Sequence, residues 1–217
     1  MEKFTVLRAT AASMMSPNID TDAIIPVEQM KSLEADFGKC LFFGLRYRAD
    51  GSENPEFVLN RSPYRNAKIL VAGANFGCGS SREHAVWALV GFGIRCIIAP
   101  SFGDIFFNNS MKNGLLPIRL PAAAVDALAA RIDAAANPDG RPLVVSLEDC
   151  SIRGPHPDSP VLKFEIDPAR REALMESLDE IGMTLKHGAR IAEFQARDAA
   201  QRPWIYRNTL SPKAKEA

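Results

Sequence analysis

Ile69-Leu70-Val71-Ala72-Gly73-Ala74-Asn75-Phe76-Gly77-Cys78-Gly79-Ser80-Ser81-Arg82-Glu83-His84 runs from an apolar, β-type segment through a glycine-rich loop into a helical pattern starting near Ser81. Gly73, Gly77 and Gly79 let the backbone turn sharply and come close to a ligand. Two hydroxyls and a guanidinium arrive where the helix should start. A helix N-terminus carries unpaired N–H groups and favours anions. The Arg82 guanidinium is a planar fork that matches a carboxylate. The segment therefore reads as a carboxylate-binding loop that also presents serine oxygens. The same letters hold a structural alternative: Ser80 and Glu83 have the spacing of a capping box, in which each satisfies a backbone donor of the other. A phosphate loop is excluded, because its lysine and its Gly-x-x-x-x-Gly-Lys-Ser/Thr spacing are absent. A hydrolase nucleophile elbow needs a glycine two residues after the serine, and there is none.

Around this loop the chain alternates. Strand-like runs fall at 4–7, 69–72, 94–99, 115–120, 143–147 and 161–166, and helical patterns at 81–90, 102–112, 122–136, 169–180 and 187–200. Strand–helix–strand alternation from 69 to 120 predicts a parallel α/β unit. The turn clusters Asn137-Pro138-Asp139-Gly140 and Arg153-Gly154-Pro155-His156-Pro157-Asp158 predict antiparallel pieces after it. The last two helices are expected to close the core. Residues 1–217 are expected to form one domain, with an exposed flap at about 45–66 and a frayed tail at about 211–217.

Composition narrows the function. The chain has 217 residues, 47% of them hydrophobic, which is ordinary for a globular protein and enough for a sizeable core. Lys plus Arg and Asp plus Glu both total 26, which argues against nucleic acid or an anionic membrane as the main partner. No apolar run approaches the roughly 20 residues that span a bilayer, and the N-terminus has no signal-peptide pattern. A cytoplasmic location is the default expectation. Cys40, Cys78, Cys96 and Cys150 lack close Cys-x-x-Cys spacing, so neither zinc nor a complete iron–sulfur site is expected in this chain. Cys96 lies in an apolar run and reads as a core thiol.

Gly77-Cys78-Gly79-Ser80-Ser81-Arg82-Glu83-His84 resembles the active-site motif of the mobile domain of the aconitase superfamily. Asn18-Ile19-Asp20-Thr21-Asp22-Ala23-Ile24-Ile25-Pro26 resembles its N-terminal signature. Ala99-Pro100-Ser101-Phe102-Gly103-Asp104-Ile105-Phe106, then Asn108-Asn109-Ser110 and Gly114-Leu115-Leu116-Pro117, resemble the segment that follows. With Asp179-Glu180-Ile181-Gly182-Met183-Thr184-Leu185 the likeness covers most of the chain, in the order and length of the small subunits of bacterial 3-isopropylmalate dehydratases. The resemblance implies a swivelling β/β/α architecture. It implies a hydro-lyase of leucine biosynthesis that dehydrates and rehydrates a hydroxy diacid and works only with a large subunit. A 4Fe-4S cluster is expected in that subunit, and none in this chain.

That chemistry needs a Lewis acid to polarise the leaving hydroxyl and a base beside a weakly acidic C–H bond. The resemblance makes Ser80 the base, Ser81 and Gly79 substrate contacts, and Arg82 the carboxylate clamp. It pairs Asp22 with a histidine of the cluster-bearing subunit; taken alone, Asp20 and Asp22 read as turn or cap residues. His84 reads as a hydrogen-bonded structural histidine. One stretch departs from the family pattern. Where small subunits usually carry Arg-Thr-Gly-Phe-Gly, this chain reads Glu34-Ala35-Asp36-Phe37-Gly38. Two alternatives therefore stand beside the main expectation: a paralogous small subunit for another malate- or maleate-type diacid, and a stand-alone anion-binding module.

Overall fold

Short apolar runs buried on both faces are the mark of a parallel sheet covered by helices. The computed structural model, which describes residues 2–30, 36–79, 82–133 and 141–206, contains such a sheet. After β1 (Val6–Ala9), the strands β2 (Ala11–Met14), β3 (Ile69–Ala72), β4 (Cys96–Ala99) and β5 (Leu116–Arg119) lie side by side in that order, all parallel. Every residue of β3 and β4 is buried.

The helices between and after these strands cover the sheet. α1 (Thr21–Ile24), α2 (Phe37–Cys40) and α3 (Phe43–Arg46) follow β2, α4 (His84–Phe92) links β3 to β4, and α5 (Asp104–Lys112) links β4 to β5. α6 (Ala122–Ile132) packs across β2, β3 and β4. It buries Val125, Leu128, Ala129 and Ile132, the i, i+3, i+4, i+7 stripe that a helix turns toward a sheet. The parallel α/β unit expected from 69 to 120 is therefore present.

A second sheet is antiparallel, as the turn clusters predict. Its order is β1, β6 (Leu143–Ser146), β7 (Ser151–Arg153), β8 (Val161–Lys163). Val6 lies opposite Ser146, and Val145 opposite Ile152. α7 (Pro168–Glu176) starts with the Asp167 carboxylate accepting from the Arg170 N–H, carries proline in its first turn, and buries Leu174.

Contacts gather the chain into two compact units, Met1–Ser177 and Leu178–Ala217. The second unit holds α8 (Glu180–Leu185), α9 (Gly188–Gln201) and α10 (Pro203–Tyr206). Asp198, the buried residue of α9, accepts from Arg202 Nε at 2.7 Å and from Tyr206 Oη at 2.9 Å. These bonds tie α10 to α9.

Several expectations need correction. α9 belongs to the second unit, and the residue that it buries is Asp198. β2 and β7 have no clear signal in the sequence. Ala11-Ala12-Ser13-Met14 has little intrinsic β-preference, and becomes a strand by pairing in register with Ile69–Ala72. Within the 45–66 stretch, residues 48–53 are exposed or nearly so, but Arg46, Leu59, Asn60 and Tyr64 are buried. Arg46 Nη1 donates to the Gly38 carbonyl at 3.1 Å, and Tyr64 Oη donates to the Ile132 carbonyl at 2.7 Å, so the segment is anchored at both ends. The 134–136 end of the expected third helix and the 211–217 tail lie outside the described residues.

Candidate active site

Ligands of open parallel sheets bind beyond the carboxyl ends of the strands. In this protein three such ends meet. The loop after β3 is held on one side by the loop after β2: Asn18 N–H donates to Ala74 O at 2.8 Å, Gly77 N–H to Ile19 O at 2.7 Å, and Thr21 N–H to Cys78 O at 2.9 Å. On the other side it is held by the loop after β4, with Phe76 N–H on Ser101 O at 3.1 Å and Gly103 N–H on Phe76 O at 3.0 Å. Asn75 adds side-chain support, donating from Nδ2 to Asn18 Oδ1 at 2.8 Å.

The glycines permit this arrangement. Gly77 has φ +71, and a Cβ on it would stand 2.2 Å from the Phe106 ring. The loop thus rests directly on an aromatic floor of Phe76, Phe102 and Phe106, whose rings lie 5.5–6.5 Å apart. Gly79 has φ +92, beside Asp20 and Thr21. Both conformations lie in the left-handed region that side chains disfavour.

Asp20 and Asp22 are separated by role. The Asp20 carboxylate caps α1, accepting from the Ala23 N–H at 2.7 Å. Asp22, in the first turn and more than half exposed, receives a hydrogen bond from the Arg82 guanidinium. Two of the five residues singled out in the sequence are thereby brought together from two different loops. Gly79 lies against Asp20 and Thr21, three residues before Arg82 in the chain. Ser80 and Ser81 lie outside the described residues, as does Glu34.

The Ser80 half of the capping box lies outside the described residues, and α4 starts four residues beyond it. Its N-cap is Glu83, whose carbonyl accepts from the Val86 and Trp87 N–H groups and whose carboxylate accepts from Asn113 Nδ2 at 2.7 Å. The helix starts at His84, later than expected. The His84 ring packs against Phe37 and Trp87, with centroids at 5.8 and 4.7 Å, so it belongs to an aromatic cluster. Phe37 comes from α2, whose N-cap is Asp36: its carboxylate accepts from the Lys39 N–H at 3.3 Å and lies 3.6 Å from Lys39 Nζ. One of the two acids of the divergent stretch is thus a helix cap paired with a lysine.

A family model described as the aconitase C-terminal domain matches residues 1–123. Another, described as the C-terminal domain of the 3-isopropylmalate dehydratase small subunit, matches residues 180–207. The 3-isopropylmalate dehydratase small subunit of Gluconacetobacter diazotrophicus is 55% identical over 206 residues, covering 94% of this chain and 97% of that protein. The one from Afipia carboxidovorans is 53% identical, covering 94% of this chain and all of that protein. The chain belongs to the 3-isopropylmalate dehydratase small-subunit family. A crystal structure of the 3-isopropylmalate dehydratase of Methanocaldococcus jannaschii, 24% identical, matches with a TM-score of 0.59 over 87% of this chain and 98% of that one, which bears on the fold alone.

For this small subunit the thiols are the obvious donors to test against an iron–sulfur cluster. They do not fit one. Cys96 is fully buried in β4, and burial raises its pKa far above the ordinary thiol range. Cys40 is buried at the end of α2 and its pKa is raised by burial and by Asp36, while Cys78 and Cys150 lie on other segments. Among the described residues no three Cys, His, Asp or Glu side chains converge as metal ligands.

Sequence reasoning missed the seat of the loop and the amide of Asn113. Phe102, Gly103 and Phe106 sit in a stretch that carries the family resemblance, which was the available signal. Nothing in the local sequence marks Asn113.

Proposed function

We propose that this chain supplies the proton-transferring half of a hydro-lyase active site that interconverts 2- and 3-isopropylmalate. The single observation that carries this is identity above one half, over nearly the whole chain, to small subunits of that enzyme. Dehydration takes a proton from the carbon beside a carboxylate and hydroxide from its neighbour; rehydration returns them exchanged. Ser80 takes the proton and returns it. A serine alkoxide needs donors around it, a role suited to the N–H groups of the glycine loop and to Arg82. Ser81 and Gly79 contact the substrate, and Arg82 clamps a substrate carboxylate.

The Arg82–Asp22 pair supports this division of labour. A guanidinium that already holds one carboxylate at the strand ends has the chemistry to hold another in its place. When the substrate takes Arg82, Asp22 is released to a histidine of the large subunit. Polarising the leaving hydroxyl is the chemistry of a 4Fe-4S cluster carried by that subunit. The site is then complete only in the assembled cytoplasmic enzyme.

The test is co-expression with the cognate large subunit. A larger, brown chain should co-purify, and only the pair should turn over isopropylmalate. In a panel of diacids and triacids, isopropylmalate should lead in kcat/KM. Activity of this chain alone in metal- and partner-free buffer, or a preference for citrate, refutes the proposal.

A further inference from the structure

Asn113 is the C-cap residue of α5, and its side chain also reaches Glu83, the N-cap of α4, and Trp87 within that helix. Its Nδ2 donates to the Glu83 carboxylate at 2.7 Å and to the Asn109 carbonyl at 2.9 Å. Its Oδ1 accepts from Trp87 Nε1 at 3.1 Å. An indole only donates, and a carboxylate and a carbonyl only accept, so the partners themselves dictate which way the amide points. Glu83 is the N-cap of α4 and the direct neighbour of Arg82 in the chain. Among the described residues its side chain makes no capping bond to the helix backbone, and its carboxylate is held by Asn113. Trp87, one turn on, packs against Phe37 of α2 with centroids at 5.7 Å. One amide therefore joins α5 to the first turn of α4, and through the indole to α2.

We infer that Asn113 is a positioning residue of this site: by clamping Glu83 it fixes where Arg82 stands to meet the substrate carboxylate. The inference rests on the clamp role proposed above for Arg82. The clamp needs a donor and an acceptor on one short side chain, which neither an alanine nor an ionised aspartate provides. Misplacing a binding group by about 1 Å can cost on the order of a hundredfold in rate, so the bridge is felt in kcat/KM as well as in stability.

The experiment uses Asn113→Asp and Asn113→Ala in the assembled two-subunit enzyme, with 3-isopropylmalate as substrate. An ionised aspartate has no donor and sets a second carboxylate against Glu83. Two carboxylates so close do not both stay ionised as the pH falls; one takes a proton. The resulting carboxylic acid can donate to its neighbour and restore the bridge. Relative to wild type, kcat/KM of Asn113→Asp should fall about tenfold at about pH 8 and recover roughly threefold by about pH 6. Asn113→Ala should lose as much and recover nothing. Wild-type kcat/KM in both variants with only the melting temperature lowered overturns the inference. So does a ratio to wild type that stays constant with pH. Arg82→Lys, assayed in parallel, separates the two proposals. Normal kinetics for it overturn the route through Arg82, whereas an impaired Arg82→Lys beside a normal Asn113→Asp removes Asn113 alone.

Discussion

Arg82 donates from its guanidinium to the carboxylate of Asp22, a residue sixty positions earlier in the chain. The pair bridges the loops after β2 and β3 where those strands end. In the mechanism proposed above, Asp22 of the free chain holds the place that a substrate carboxylate takes in the assembled enzyme.

Asp22→Asn removes that competitor. The isolated variant should bind a simple dicarboxylate such as malate more tightly than the native chain, by at most about fivefold, because an exposed ion pair is worth only about 0.2–1 kcal/mol. The assembled variant should lose kcat, since the carboxylate is no longer there for the histidine proposed as its partner. Calorimetric titration and steady-state kinetics read the two effects; weaker dicarboxylate binding by the isolated variant would show that Asp22 does not compete for Arg82.

Arg82→Lys keeps the charge and loses the planar two-point contact. One charged hydrogen bond is worth about 1.5–3 kcal/mol, so kcat/KM should drop roughly tenfold to a hundredfold. Unchanged kinetics would remove Arg82 from the site.

Ser80→Ala should leave assembly with the large subunit intact while kcat falls on the order of a thousandfold, the middle of the range for a lost general base. Gel filtration followed by turnover measurements decides it. Near-normal kcat in a properly assembled enzyme would reduce Ser80 to a loop residue.

Gly38→Ala probes the seat of α2. A Cβ there would lie 2.5 Å from the Gly91 carbonyl oxygen, where α2 meets α4 backbone to backbone. Neither backbone can yield cheaply, so chemical denaturation should show a loss of about 1–3 kcal/mol, the usual cost of overpacking. The aromatic packing of Phe37 on His84 and Trp87 should loosen with it.

Asp149→Asn tests the turn between β6 and β7. Hydrogen bonds from Ser146 and Ser151, and then the charges of Lys163 and Arg153, lower the Asp149 pKa from 3.8 to about 2. A carboxylate with a depressed folded-state pKa stabilises the fold above its unfolded value, and that stability is lost as the pH falls through the folded one. The variant should therefore melt below wild type at neutral pH, and the two curves should converge between about pH 4 and pH 2. A gap in melting temperature that persists unchanged at pH 2 would contradict this.

Much of this protein is legible in its sequence because local physics speaks for it. The βαβ unit from 69 to 120 announces itself by apolar runs too short for helices and by the helical periods between them. The glycines around Cys78 announce a backbone that must bend where side chains cannot follow, and Arg82 announces a carboxylate. What the chain could not declare locally came from distant pairing. Ala11-Ala12-Ser13-Met14 is a strand only because Ile69–Ala72 lies alongside it. Asp20 and Asp22 look alike in the chain, and only the fold makes the first a cap and the second the partner of Arg82. Glu83 reads as half of a capping box, and only the fold shows that Asn113, the C-cap of another helix, donates to its carboxylate. Periodicity and turn chemistry act over a few residues and can be read from a string. A hydrogen bond between loops sixty residues apart exists only once the sheet has brought their strands into register.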